Sequence, residues 1–210
     1  MIICAGESLI DMVSFVTEKG EVQYSPHVGG SILNSAIALG RLGADAYYCG
    51  AVSNDTFGGS IEDCLRDSKV QEDFIIKTNR HTTLAYADVT DDVAKYTFVD
   101  ENSAGRLIDE NSLKPFVNKI NNAKALLVGG ISLQGDPCGT SWQWLVEQVT
   151  GHCVIYFDAN IRPDFIEDKD KYLERFGRLI RKVDIIKISE EDYSYLCGEQ
   201  DFEKVTAEWL

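Results

Sequence analysis

Continuous apolar runs that alternate with helical patterns are the feature that most constrains how this chain can fold. The runs "MIICAG", "AYYCGAV", "AKALLVGG", "HCVIYFDAN" and "DIIKIS" have the length of buried strands. Between them, apolar residues at helical spacing predict helices at residues 31–42, 57–67, 114–122, 142–149, 172–183 and 190–198. Strands that are apolar on both faces belong to parallel sheets covered by helices on both sides. The pattern therefore predicts a three-layer α/β/α core.

Two segments break this alternation and predict a second, smaller sheet. Residues 12–24 and 82–99 alternate loosely between polar and apolar side chains around polar turns. We expect these strands to form a lid, inserted at about residues 12–26 and 73–99 of a core that occupies residues 1–210. In open α/β sheets, ligands bind beyond the carboxyl ends of the strands. A lid at that edge would cover such a site.

Charge and cysteine content exclude several classes of function. The net charge is −14 over 210 residues, with acidic residues spread along the chain, so a nucleic acid or an anionic membrane is a poor partner. The N-terminal "MIICAGESLIDM" predicts a strand and not a signal peptide, because it lacks a basic first segment. None of the six cysteines has CxxC spacing, and Cys4, Cys49 and Cys153 lie within apolar runs. We therefore expect reduced thiols and a cytoplasmic protein.

Two polar features near the N-terminus are candidates for binding a ligand. Gly29 and Gly30 precede a helix that has Asn34 in its first turn. A glycine backbone can approach a ligand closely, and an amide can both donate to and accept from a sugar hydroxyl. The alternative is a glycine turn followed by a solvated asparagine. Asp11 follows the first strand, where it could accept hydrogen bonds from ligand hydroxyls or serve only as a cap or loop residue.

Two further features follow later strands. "DANIRPDF" places Asn160 and Arg162 after a buried strand, and an arginine there can bind a phosphate. The alternative is a polar loop that ends at a proline. "KISEED" places Ser189, Glu191 and Asp192 where a strand leads into a helix. Acidic residues in a first turn are favoured by the helix dipole alone, and the alternative is a role linked to magnesium.

Taken in order, "GESLID", "GGSILNSAIALGRLG", "AVSNDTFG", "LVGGISL", "DANIRP" and "KISEEDYSYLCG" resemble the motifs of the ribokinase-like carbohydrate kinases, the PfkB family. The resemblance covers the whole chain and is greatest to fructokinases. It implies a Rossmann-like ribokinase core with a β-sheet lid. It also implies a transferase that phosphorylates a sugar hydroxyl with ATP and Mg²⁺, with a monovalent cation as a further expected cofactor and a homodimer formed through the lid.

The resemblance also implies a role for each matching residue. The sugar would be bound by Asp11, Gly29, Gly30, Asn34 and, from the lid, Phe98. The phosphate and ATP side would be formed by Asn160, Arg162, Ser189 and Asp192. Ser189 and Asp192 stand where the family usually has asparagine and glutamate, near magnesium, and Asp192 or Glu191 would reach the metal through water.

One departure from the family pattern concerns the catalytic residues. The family continues for roughly another hundred residues, a length typical of a further half-domain, and carries its catalytic aspartate there in a Gly-Ala-Gly-Asp motif. We therefore expect the core to be truncated on its C-terminal side. The 210 residues would then hold no catalytic base and would be inactive alone.

A second departure concerns the substrate. Asp100 falls where related kinases of 2-keto-3-deoxy sugar acids carry a lid arginine, and Arg106 lies beyond the following turn. An aspartate there would repel a carboxylate, so the expected substrate is a neutral sugar, fructose. Three alternatives remain open: a non-catalytic sugar-binding or regulatory derivative, a nucleoside or aminoimidazole-riboside kinase, and a 2-keto-3-deoxygluconate kinase.

Overall fold

The computed structural model describes residues 1–90 and 93–209, and two sheets organise them. The strands of the main sheet are β1 (Ile2–Ala5), β4 (Ala46–Ser53), β5 (Gln71–Thr78), β8 (Ala125–Gly129), β9 (Val154–Asp158) and β10 (Ile185–Lys187). They are parallel and lie in the order β10-β9-β8-β1-β4-β5. The second sheet, the lid, has the order β3-β2-β6-β7. Its strands are β2 (Leu9–Val16), β3 (Val22–Gly29), β6 (Thr83–Thr90) and β7 (Val93–Val99).

Helices separate the strands of the main sheet along the chain, and two more follow β10. They are α1 (Ser31–Arg41), α2 (Thr56–Asp67), α3 (Glu110–Leu113), α4 (Val117–Asn121), α5 (Cys138–Gln148), α6 (Lys169–Ile180), α7 (Glu190–Cys197) and α8 (Phe202–Trp209). Short 3₁₀ turns cover Lys114–Phe116, Gly130–Leu133 and Pro163–Phe165. None of the helices in the described part of the chain combines the length and the apolar character needed to span a bilayer.

The central strand β1 is buried on both faces. Ile3 and Ala5 pack into a cluster that includes Trp142 of α5, whereas Cys4 packs into a second cluster that includes Leu33 of α1. Successive side chains of a strand point to opposite faces, so the two clusters lie on opposite sides of the sheet. The predicted three-layer α/β/α core is confirmed.

The predicted elements are present, with differences at their ends. Helix α5 begins at Cys138 rather than Trp142. The start signal that sequence reasoning overlooked is Asp136 followed by Pro137, and Asp136 Oδ1 accepts from the backbone N–H of Thr140 in the first turn at 3.1 Å. The prediction that the lid includes residues 73–78 is wrong, since these residues belong to β5 of the main sheet. β5 is an edge strand in which Phe74 is buried and the other side chains are partly or fully exposed, and this pattern resembles that of a lid strand. Residues 91 and 92 of the predicted lid lie outside the described residues.

The connections place the lid over one edge of the main sheet. The lid strands β2 and β3 follow β1 directly, and β6 and β7 follow β5, so both lid segments leave the main sheet at carboxyl ends of its strands. That edge is where open α/β sheets bind their ligands. The fold therefore places the candidate site between the lid and the turns that follow β1, β8 and β9.

Candidate functional site

The inner face of the lid brings two of the predicted residues together. Asp11 lies inside β2, beside Ala85 of β6, and Ala85 lies beside Phe98 of β7. Side chains paired in this way share a face, and two strand spacings separate Asp11 from Phe98 by about 10 Å. The Phe98 ring meets the edge of Phe165, in the turn after β9, with centroids 4.5 Å apart. This face of the lid is therefore turned toward the main sheet.

Gly29 makes room for the carboxylate of Asp11. A Cβ at Gly29 would stand 2.9 Å from Asp11 Cγ and closer still to Asp11 Oδ2. Partial burial of Asp11 raises its pKa, and the charge of His27, its paired residue on β3, lowers that pKa by less. The small residue at position 29 thus fixes where this carboxylate can lie.

The start of α1 carries the other predicted sugar-binding residues. Gly30 is the N-cap, with φ of 109°, and a Cβ there would stand 3.1 Å from the carbonyl oxygen of Glu7. A side chain at either glycine would thus press against a group of the same chain, the Asp11 carboxylate at Gly29 and the Glu7 backbone at Gly30. Close approach of a ligand to their backbone stays a prediction. Asn34, in the first turn, has an exposed side chain that a ligand can reach.

A cavity of about 510 Å³ opens between β7 and the turns that follow β8 and β9, a size typical of small-molecule sites. Phe98 and Phe165 supply its aromatic surface, and Phe98 is the one predicted binding residue in its lining. Its charged lining residues are Asp100, Glu101, Arg106, Asp136, Asp164 and Glu167. Acidic side chains therefore outnumber the single arginine of this lining.

Asp100 does not present an uncompensated charge to this cavity. Its Oδ2 accepts from Arg106 Nε at 2.7 Å, and its Oδ1 accepts from the hydroxyls of Thr83 and Ser103. The side chains of Asp100 and Arg106 are only 10% and 14% exposed. The expectation that Asp100 alone repels a carboxylate is therefore wrong, because the turn brings Arg106 back against it.

The loop after β9 is held by Gln134, which follows the 3₁₀ turn after β8. Gln134 Nε2 donates to the carbonyl oxygen of Asn160 at 2.9 Å, and its Oε1 accepts from the backbone N–H of Arg162 at 2.7 Å. Asn160 has φ of 37°, a left-handed conformation that asparagine tolerates better than most residues. The loop is thereby fixed while the Arg162 side chain stays exposed. Its proposed contact with a phosphate stays a prediction.

Ser189 and Asp192 form the capping box of α7. Ser189 Oγ accepts from the backbone N–H of Asp192 at 3.1 Å, and Asp192 Oδ2 accepts from the backbone N–H of Ser189 at 2.9 Å. Asp192 is buried, and its Oδ1 accepts from the backbone N–H of Ile161 at 2.6 Å. Both carboxylate oxygens thus have donors in the protein, and this carboxylate ties α7 to the loop that carries Asn160 and Arg162.

These contacts do not fit a direct magnesium ligand at Asp192. Among residues 1–90 and 93–209, no three His, Cys, Asp or Glu side chains are grouped as metal ligands. Glu191, the other expected metal residue, is exposed at the first turn of α7. Its contact with magnesium through water stays a prediction.

The predicted residues therefore form two groups. Asp11, Phe98 and the start of α1 lie at the lid, whereas the Asn160–Arg162 loop and the start of α7 are joined by Asp192 beyond β9. Sequence reasoning missed Glu7 and Gln134, and it placed Arg106 beyond the turn without its pairing to Asp100. The signal for Glu7 was a lone carboxylate inside the otherwise apolar segment "CAGESLI".

A parallel sheet covered by a lid, with carboxylate, amide and aromatic side chains near its strand ends, defines an α/β protein with a candidate small-molecule site under the lid. A family model for the pfkB family of carbohydrate kinases matches residues 1–209. The chain therefore belongs to the PfkB family, as the order of its motifs predicts.

Several known proteins are similar to this chain. A fructokinase from Rhizobium leguminosarum bv. trifolii is 37% identical over 100% of this chain and 64% of that protein. A probable chloroplastic fructokinase from Arabidopsis thaliana is 29% identical over 95% of this chain and 53% of that protein. The chain thus spans less than two thirds of the length of these relatives.

Solved structures show the same fold. A fructokinase from Xylella fastidiosa with bound ATP matches with a TM-score of 0.88 at 23% identity, covering 99% of this chain and 64% of that one. A sugar kinase from Pyrococcus horikoshii matches with a TM-score of 0.83 at 26% identity, covering 93% and 64%. The ribokinase-like α/β fold predicted from the sequence is thereby confirmed.

Proposed function

We propose that the full-length protein containing this chain is an ATP-dependent sugar kinase that phosphorylates a neutral sugar, with fructose as the first candidate. The observation that carries the proposal is the position of Asp11, half-buried on the inner face of the lid in one row with Phe98. Such a carboxylate accepts hydrogen bonds from sugar hydroxyls, and the exposed amide of Asn34 can donate and accept. The 37% identical Rhizobium fructokinase supports this substrate.

The charge of the cavity favours a neutral sugar over a sugar acid. Glu101, Asp136, Asp164 and Glu167 line it together with the Asp100–Arg106 pair. Asp136 is itself paired with Arg175 and Lys171, but the other three carboxylates leave an excess of negative charge. Like charges brought together in a closed site disfavour binding. The guanidinium of Arg106 is the feature that favours the second candidate, a 2-keto-3-deoxy sugar acid.

ATP is the proposed phosphoryl donor, supported by the ATP that the Xylella fructokinase binds. Arg162 has an exposed guanidinium on a fixed loop, so it is the residue of this chain best suited to donate hydrogen bonds to a phosphate. Asn160, two residues earlier in the same loop, would help to orient the phosphate. Ser189 and Asp192 would act by holding this loop and α7 in place. Mg²⁺ brought with ATP would neutralise charge on the phosphate oxygens.

The test is a coupled kinase assay of the full-length protein with fructose and 2-keto-3-deoxygluconate at equal concentration. We expect a higher kcat/KM for fructose, and a higher value for the acid would overturn the neutral-sugar assignment. Nucleosides and aminoimidazole riboside complete the panel. Sugar binding without phosphate transfer to any of them would favour the non-catalytic alternative. Residues 1–210 assayed alongside test the prediction that this span alone is inactive.

Assembly and compartment belong to the same proposal. Phe15, Val16 and Val22 expose apolar side chains on the lid, which supports a homodimer formed there. The six cysteines are free thiols, which supports a reducing cytoplasm. Sedimentation of the full-length protein tests the dimer, and a Val16→Lys substitution should shift it to monomer.

A further inference from the structure

A buried carboxylate with no assigned role lies between β1 and the lid. Glu7 is 7% exposed. Its Oε1 accepts from Ser31 Oγ at 2.6 Å and from the backbone N–H of Ile32 at 3.3 Å. Its Oε2 accepts from Ser132 Oγ at 2.5 Å. Burial raises the pKa of Glu7, and the hydrogen bonds from Ser132, Ser31 and Ile32 lower it.

The local geometry is built around this group. Gly30, the N-cap of α1, has no side chain to cap the helix, so Glu7 supplies an acceptor for the first turn from another part of the chain. A carboxylate is also favoured at a helix N-terminus by the helix dipole. A Cβ at Gly130 would stand 2.5 Å from Glu7 Oε1 and 2.7 Å from Oε2, so the turn after β8 is shaped to admit it.

Three segments of the candidate site therefore meet at one side chain. Glu7 lies four residues before Asp11 and leads into β2 of the lid. Ser31 and Ile32 open α1, which carries Asn34 one turn further on. Ser132 belongs to the 3₁₀ turn at the carboxyl end of β8. The hydrogen bonds of Glu7 thus help to fix the position of Asp11 relative to Asn34.

We propose that Glu7 is a positioning residue for sugar binding: it holds the lid strand that bears Asp11 and the helix that bears Asn34 in one arrangement. The inference rests on the proposed function, since Asp11 and Asn34 are its sugar-binding residues. Misplacement of binding groups by about 1 Å can cost on the order of 10²-fold in activity. The bridge acts through hydrogen bonds, so an isosteric amide keeps it.

The test compares Glu7→Ala with Glu7→Gln in the full-length protein, with fructose and ATP varied separately. Glu7→Ala should raise the sugar KM about tenfold or more, with the ATP KM within twofold. Glu7→Gln should restore the sugar KM to within about threefold, because its oxygen still accepts from Ser31 and its amide donates to Ser132. Asp168→Ala, which removes the cap of α6, is the matched control and should leave both KM values unchanged.

Several results would overturn the proposal. An unchanged sugar KM in folded Glu7→Ala, or Glu7→Gln as impaired as Glu7→Ala, removes the hydrogen-bond bridge as the cause. If Glu7→Ala does not fold, Ser31→Ala and Ser132→Ala each delete one donor, and an unchanged sugar KM in both is decisive against it. If the wild-type protein phosphorylates no sugar, the proposed function fails instead. In that case, hydrogen exchange of the backbone amides of residues 31–34 tests whether Glu7 holds the start of α1. We expect faster exchange in Glu7→Ala than in Glu7→Gln, and equal rates would contradict the positioning role.

Discussion

Replacing Gly29 by alanine should displace the carboxylate of Asp11 while leaving the lid folded. The new Cβ would stand 2.9 Å from Asp11 Cγ and closer to its Oδ2, inside the 3.4 Å at which ordinary van der Waals contact begins. Gly29 ends β3 and is not among the residues with positive φ, so the backbone accepts an alanine without strain. The carboxylate, at the rotatable end of a half-buried side chain, is the group that must move.

The size of the effect follows from what Asp11 is proposed to do. Losing hydrogen bonds to a charged acceptor costs about 1.5–3 kcal/mol, which corresponds to a rise of about 10- to 150-fold in the sugar KM. The free energy of unfolding should change little. Alanine has fewer unfolded conformations than glycine, so the substitution stabilises the folded state by about 0.4–1 kcal/mol where the backbone conformation suits it. This stabilisation offsets the cost of the local crowding.

The assay is steady-state kinetics of the full-length protein with fructose varied at saturating ATP, together with thermal unfolding of each variant. Gly59→Ala is the control, because a Cβ at this position of α2 meets no atom within 4 Å. It should leave the sugar KM unchanged and stabilise the helix by up to about 1 kcal/mol. A Gly29→Ala protein that is folded and has the wild-type sugar KM would show that the Asp11 carboxylate does not contact the sugar.

Three further predictions concern other parts of the site. Asn34→Ala should raise the sugar KM with a change in unfolding free energy of less than about 0.5 kcal/mol, because the side chain is exposed; unchanged sugar binding would make Asn34 a solvated residue only. Asp192→Asn places an amide group against a buried N–H and should lower the unfolding free energy by about 1–3 kcal/mol in denaturant titrations, with the same Mg²⁺ dependence; an altered Mg²⁺ dependence in an equally stable protein would restore the magnesium role. Both ring nitrogens of His81 face carbonyl oxygens, of Thr82 and Glu101, which favours the protonated ring and raises its pKa. The stabilisation is therefore present below the unfolded-state pKa of about 6.5 and is lost as the pH rises through the higher folded-state value, so the unfolding free energy should fall more steeply above pH 6.5 in wild type than in His81→Gln; equal slopes would contradict this.

The core was predictable because a strand that is buried on both faces gives a continuous apolar run in the sequence. The strands around Ile3, Tyr48 and Leu127 consist almost wholly of apolar residues and glycine, a composition typical of buried strands. In the edge strand β5 only Phe74 is fully buried, so its sequence pattern resembles that of a half-exposed lid strand. Helix α8, at Phe202–Trp209, was not predicted because its sequence is short and partly polar.

The candidate site was less predictable, because motif residues can serve either a ligand or the fold. Gly29 and Gly30 match a pattern for close ligand approach, which stays a prediction, yet each also makes room for a group of the same chain, Asp11 or Glu7. Arg106 and Asp100 are six residues apart, and only the turn between them reveals that they pair. Such contacts depend on tertiary placement, which local pattern does not encode.

The link between Asp192 and Ile161 shows how a buried residue can fix the loop that carries a proposed binding residue. Asp192 uses one oxygen to cap α7 and the other to hold the backbone of the loop that bears Arg162. Gln134 holds the same loop from the β8 side. Glu7 performs the matching task at the lid, where one carboxylate joins the start of α1 to the turn after β8. Both halves of the candidate site are thus organised by a buried carboxylate: Asp192 accepts from two backbone N–H groups, and Glu7 accepts from two hydroxyls and one backbone N–H. Substitution of either should change ligand affinity through geometry, with the exposed side chains of Asn34 and Arg162, the proposed ligand contacts, intact.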